Sequence, residues 1–91
     1  MKIIQSSSFE KKVKRFNKKE KNILDKQIKM ILENPFTGKE KKGDLKGVRV
    51  HKFKIHTTQY LLAYRLNMET LELIMIGPHE NYYRDLKSHL K

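Results

Sequence analysis

Apolar residues recur along the chain first at helical and then at alternating spacing. Phe9, Val13 and Phe16 fall at i, i+4 and i+7, and Ser7-x-x-Glu10 has the form of a capping box, so a helix is predicted from about Ser7 to Phe16. Its other face is Lys11, Lys12, Lys14 and Arg15. A second helical stripe follows Asn17 through Leu24, Ile28, Ile31 and Leu32, flanked by Ile23 and Met30. It ends at Asn34-Pro35, because the residue before a proline avoids helical geometry. Ahead of this hairpin, residues 1–5 are short and partly apolar and suit an edge strand. Behind it, residues 35–47 hold three glycines, a proline and mixed charges, which predicts a surface loop with Leu45 as its anchor.

From Val48 onward the period changes to two. Val48 and Val50 alternate with Arg49 and His51, yet Phe53 and Ile55 are out of phase with the valines, and a one-residue slip at His51-Lys52 predicts a β-bulge. The bulge would gather Arg49, one or both of His51 and Lys52, Lys54 and His56 on one polar face. After a turn at His56 to Gln59, a further strand runs from Tyr60 to Leu66. The next carries Leu71, Leu73 and Met75 on one side and Ile74 and Ile76 on the other, so it is apolar on both faces and belongs in the sheet interior. Gly77-Pro78 breaks it and delivers His79, Tyr82 and Tyr83 into a closing helix from about Asn81 to Leu90. If the helix begins near His79, His79 and Tyr83 share one face and Tyr82 turns away. The order β-α-α-β-β-β-α predicts an α+β fold. Its four-stranded, mainly antiparallel sheet carries an N-terminal helical hairpin and a short C-terminal helix, all in one domain over residues 1–91. Leu24, Ile28, Ile31, Phe53, Leu62 and Leu73 are the expected core.

Charge alters this picture more than size does. The 91 residues include 21 Lys and Arg against 10 Asp and Glu, a formal net charge of +11 and a pI near 10.0. Residues 1–46 hold 14 basic and 6 acidic side chains and residues 47–91 hold 7 and 4, so the excess lies in the first half. Such a surface points to nucleic acid or to an acidic protein. A lysine-rich solvated helix face is the plainer alternative. The absence of cysteine excludes disulfides and thiolate chemistry and suits a reducing cytoplasm. No apolar run approaches the roughly 20 residues that span a bilayer, and the first residues are too short for a signal peptide, so a cytoplasmic protein without membrane contact is expected.

The histidines at 51, 56, 79 and 89 form no i, i+4 pair beside carboxylates, and no phosphate-binding glycine fingerprint occurs. Neither a metal site nor a cofactor is expected. A basic strand facing a histidine and tyrosines suits RNA cleavage without a metal. The RNA 2′-hydroxyl is the internal nucleophile. The protein then supplies a base, an acid and cations for the crowded phosphate, while tyrosine stacks a base.

Leu45-Lys46-Gly47, the strand with Lys52 and Lys54, Tyr60-Leu61-Leu62-Ala63-Tyr64, Ile76-Gly77-Pro78-His79 and Tyr82-Tyr83-Arg84 together resemble the RelE/ParE superfamily of bacterial toxins. The ordered set, not any one motif, carries the resemblance, and it covers essentially the whole chain. It implies the toxin of a type II toxin-antitoxin system, either a ribosome-dependent mRNA endonuclease or, as in the ParE branch, a DNA gyrase poison. A non-catalytic binding module is the remaining alternative. It also implies a cognate acidic antitoxin, and for the nuclease, mRNA in the ribosomal A site and ribosomal RNA as partners. Lys52 and Lys54 match the paired lysines of RelE-type strands. His79 falls where RelE has an arginine and the YafQ-like branch a histidine, and Tyr83 falls at an aromatic position. Leu61 stands where RelE has a further arginine, which favours a histidine-based scheme. The expected catalytic residues are therefore His79, Tyr83, Lys52 and Lys54, with His51 assisting, and the expected RNA-binding residues are Arg49, Lys46, His56, Tyr82 and Arg84.

Overall fold

The computed structural model describes residues 2–41, 43, 47–80 and 82–90, the side chain of residue 89 excepted. Leu45, the expected loop anchor, and Lys46 lie outside them. The elements are β1 (Lys2–Gln5), α1 (Ser7–Lys14), α2 (Lys18–Glu33), β2 (Lys39–Glu40), β3 (Arg49–Ile55), β4 (Thr58–Leu66), β5 (Thr70–Pro78) and α3 (Tyr82–Leu90). The sheet has five strands in the order β1-β5-β4-β3-β2, with β1 parallel to β5 and every other pair antiparallel. The strand beyond the expected four is β2, two residues inside the segment read as a loop, where Lys39 pairs with Val50 and Glu40 with Arg49.

Local chemistry sets the helix ends. Ser6, one residue before the predicted cap, accepts from the Phe9 N–H at 3.0 Å while its hydroxyl donates to the Ile74 carbonyl, so the start of α1 is tied to β5. Asn17 and Glu20 form a reciprocal capping box at the start of α2, with both bonds at 2.8 Å. The two helices lie across one face of the sheet, α1 over β5 and α2 over β3. Beneath them Phe9, Leu24, Ile31, Phe53, Ile55, Leu62, Tyr64, Leu71, Leu73 and Ile76 form the larger core, edged by Ile28 and Phe16. Helix α3 covers part of the opposite face. There Val48, Val50, Leu61, Ala63, Ile74, Tyr82 and Leu86 make a second core.

These two cores explain the apparent slip in β3. Its pairing with β4 runs without interruption from Arg49↔Tyr64 to Ile55↔Thr58, so the expected bulge at His51-Lys52 is not there. Val48 and Val50 point toward α3, whereas Phe53 and Ile55 point toward the hairpin. The change of phase is a change of covered face. A register shift occurs instead between β4 and β5, where Ala63 pairs with Met75 and Tyr64 with Leu73. Ile74 is the extra residue, and Ile74 and Met75 both pack on the α3 side. Strand β5 lies between β1 and β4, as its two-sided apolar pattern predicts. It continues through Gly77 and Pro78, which pair with Leu61 and Tyr60. Strand β1 accompanies β5 only to Leu73, so Pro78 lies where β5 has no second neighbour.

Candidate nucleic-acid interface

At the end of β5 the chain turns into α3 through His79. Its N–H donates to the Gln59 carbonyl at 3.0 Å, and its carbonyl accepts from the Tyr82 N–H at 3.2 Å. Four residues on, in the first turn of α3, Tyr83 meets the exposed His79 ring edge to face, with centroids 6.4 Å apart at 87°. Tyr82 supports Tyr83 in the same manner at 5.7 Å. The Lys41 ammonium sits 4.8 Å from the centre of the Tyr83 ring. The Tyr83 hydroxyl is shielded from solvent and has no hydrogen-bond partner among the described residues.

Lys52 and Lys54 share the face that carries α3, because His51, Phe53 and Ile55 between and beside them are buried under the hairpin. Both lysines are exposed. Lys52, Leu61 and Gly77 stand in a row across β3, β4 and β5, and Lys54 is opposite Gln59, whose carbonyl holds His79. With strands about 4.8 Å apart, the lysine backbones are about 10 Å from the end of β5, within reach of a phosphate held there. His79, Tyr83, Lys52 and Lys54 are thus brought to one end and one face of the sheet. Lys41 joins them. Sequence reading missed it because its segment looked like loop. The available signal was the alternation Lys39-Glu40-Lys41, with Glu40 opposite Arg49 in β2.

Three other expected site residues point elsewhere. His51 is 7% exposed on the hairpin side, its Nε2 is 2.7 Å from Gln27 Oε1 of α2, and its ring stacks on Phe53 at 6.0 Å. Burial lowers its pKa, so the neutral ring is favoured. It lies on the opposite face from Lys52, since strict alternation without a bulge separates neighbours. Arg49 alternates with Lys52 in the same way. Its guanidinium donates to the Gly38 carbonyl at 2.8 Å, approaches Glu40 at 3.7 Å and covers the Phe36 ring at 4.9 Å. Tyr82, 1% exposed, packs over Gly77 and donates its hydroxyl to the Met75 carbonyl at 2.7 Å, so it fastens α3 to β5 and has no surface for RNA.

His56 is exposed at the β3–β4 turn with φ of 57°, and Arg84 is exposed on α3 beside Asp85 at 3.9 Å. Leu61 is fully buried beneath α3, directly between Lys52 and Gly77. Among the described residues no three His, Asp or Glu side chains converge, and no helix is long and apolar enough to cross a membrane.

Comparison with known proteins places this geometry in a family. A comparison with curated proteins gives no match. Among solved structures, the intact RelBE toxin-antitoxin complex of E. coli superposes with a TM-score of 0.68 at 20% identity, covering 87% of this chain and 96% of the other. The isolated E. coli RelE toxin gives 0.65 at 20% identity, covering 96% of each chain. E. coli YafQ gives 0.64 at 22% identity, covering 89% of this chain and 96% of that one. At such identities the likeness is one of fold. The profile of the ParE-like toxin of type II bacterial toxin-antitoxin systems matches residues 3–87. The chain therefore belongs to the ParE-like toxins of type II toxin-antitoxin systems, within the RelE/ParE superfamily.

Proposed function

We propose that this toxin is a ribosome-dependent mRNA endonuclease that cuts without a metal ion and thereby inhibits translation. The observation that carries the reading is the edge contact of His79 with Tyr83 beside Lys41, at the end of the strand row that carries Lys52 and Lys54. In the reaction the RNA 2′-oxygen attacks the adjacent phosphorus and loses its proton to a base, and the P–O5′ bond breaks as the 5′-oxygen takes a proton from an acid. The products are a 2′,3′-cyclic phosphate and a free 5′-hydroxyl. An imidazole at His79 serves as acid or base, since histidine is the side chain suited to exchanging protons near neutrality. Lys52 and Lys54 stabilise the charge on the phosphate, and Tyr83 orients the nucleotide by stacking. With Leu61 buried as part of the core, the charge scheme rests on the lysines and His79.

The substrate in this reading is mRNA in the ribosomal A site, with ribosomal RNA held by the basic surface. The partner that silences the toxin is an acidic antitoxin, in line with the toxin-antitoxin complex formed by RelE and with the charge of +11. The test is pulse-labelling after induction, paired with mapping of mRNA ends. His79→Ala should abolish cleavage and growth arrest while the melting temperature and antitoxin binding stay unchanged, and Tyr83→Ala should abolish both while also lowering the melting temperature, because its half-buried ring packs on Tyr82 and the second core. A folded His79→Ala protein that cut mRNA on ribosomes at the wild-type rate would remove the histidine from the chemistry. Arrest of DNA replication without mRNA cleavage would replace the reading with gyrase poisoning.

A further inference from the structure

Phe36 is 69% exposed, in the turn between α2 and β2. A lone exposed apolar side chain is ordinary and carries nothing by itself. This one is held unusually firmly. The fully buried Tyr64 donates its hydroxyl to the Pro35 carbonyl at 2.8 Å and accepts from the Gly38 N–H at 2.9 Å, so both flanks of Phe36 are tied to one core phenol. Gly38 lies so close that a Cβ there would stand 2.6 Å from the Tyr64 hydroxyl. The Arg49 guanidinium, itself bonded to the Gly38 carbonyl, covers the ring at 4.9 Å from its centre.

The surroundings are cationic. Beside the turn, Thr37, Lys39, Val50, His51 and Lys52 line an open groove of about 360 Å³. Lys39 pairs with Val50, so by alternation Lys39 and Lys41 share the face of Lys52 and Tyr83. Phe36 is five residues before Lys41, hence no more than about 17 Å from it along an extended chain. A rigid aromatic ring backed by a guanidinium and reached over lysines has the chemistry of a platform for an unstacked base.

We propose that Phe36, backed by Arg49, stacks a nucleobase of single-stranded RNA that flanks the cleaved phosphate and crosses the β2 edge over Lys39 and Lys41. The inference rests on the RNA-cleaving reading and adds a second base contact to that of Tyr83. The experiment uses a short single-stranded 2′-O-methyl RNA, which binds but lacks the nucleophile. The protein has no tryptophan, so Phe36→Trp makes one indole the sole reporter. Its fluorescence should be quenched on saturation with RNA at low salt. By anisotropy, Phe36→Ala and Phe36→Leu should each weaken binding about thirtyfold, the middle of the range for one base–aromatic stack, with the melting temperature unchanged. An unquenched indole on RNA-bound protein, an absence of any RNA binding, or a loss in Phe36→Ala confined to affinity for the purified antitoxin would each overturn the platform. The His79→Ala cleavage assay separates the two failures. Normal dependence on His79 without quenching removes the platform alone, whereas quenching with cleavage indifferent to His79 removes the histidine mechanism alone.

Discussion

His51 lies between Phe53 and Gln27, and burial holds its imidazole pKa below the ordinary 6.5. Unfolded, the ring binds a proton near 6.5, while in the fold it does so only at lower pH. Between those values the unfolded chain binds more protons, so stability rises as pH rises through that window. The contribution is whole above about 6.5 and is lost as pH drops through the folded value. Thermal melts between about pH 7.5 and 5 should show a declining melting temperature, and His51→Gln should flatten that decline. An equal slope in the variant would assign the acid sensitivity to other groups. His79 is exposed, with its backbone bonded to Gln59 and Tyr82 and its ring touching Tyr83 only edge on, so its removal should change chemistry and leave stability nearly alone.

Among the elements, β5 has the most to organise. It takes β1 on one side and β4 on the other, supports α1 on one face and α3 on the other, and ends at Pro78, next to His79. Leu73 is 1% exposed at its middle, so Leu73→Ala should cost about 2–5 kcal/mol in chemical denaturation, and an unchanged midpoint would contradict its placement. The turn before β2 depends on one phenol. Burial raises the Tyr64 pKa, which keeps the hydroxyl protonated and able to donate to Pro35 while accepting from Gly38. Tyr64→Phe should cost about 1–3 kcal/mol, because it leaves a carbonyl and an N–H without a partner near the core. The same variant should weaken RNA binding if the turn positions Phe36, measured by the anisotropy assay used for Phe36→Ala.

Over the whole molecule, a net charge of +11 sets how it meets its partners. RNA affinity should fall linearly on a logarithmic salt scale, with Lys52→Ala and Lys54→Ala each lowering the slope by about one while weakening binding evenly across sequences. Titrations at several salt concentrations check this, and an unchanged slope would place these lysines outside the phosphate path. Binding of the acidic antitoxin should weaken with salt as well. Salt-independent association would point to an apolar interface instead.

Apart from β2, the order of helices and strands, the hairpin core and the interior position of β5 were legible in the sequence, because a 3.6 or 2.0 period reports which positions are covered. Leu24, Ile31, Leu62 and Leu73 follow from that alone. The four-residue spacing of His79 and Tyr83 beyond Gly77-Pro78 was legible too, although β5 runs through Gly77 and Pro78 rather than stopping at them. Periodicity reports that a position is covered, not which face covers it. The two cores on opposite faces of one sheet turned a change of face in β3 into an apparent bulge, and so put His51 and Arg49 on the face of Lys52, while the actual bulge at Ile74 was hidden in a strand apolar on both sides. The spacing already paired Tyr83 with His79 and turned Tyr82 away, and only the packing of α3 over Gly77 decided that Tyr82 is core and not a base-binding ring. Lys41 reached Tyr83, and Phe36 its place under Arg49, through a two-residue strand and a distant phenol, contacts between segments far apart in sequence that no local pattern encodes.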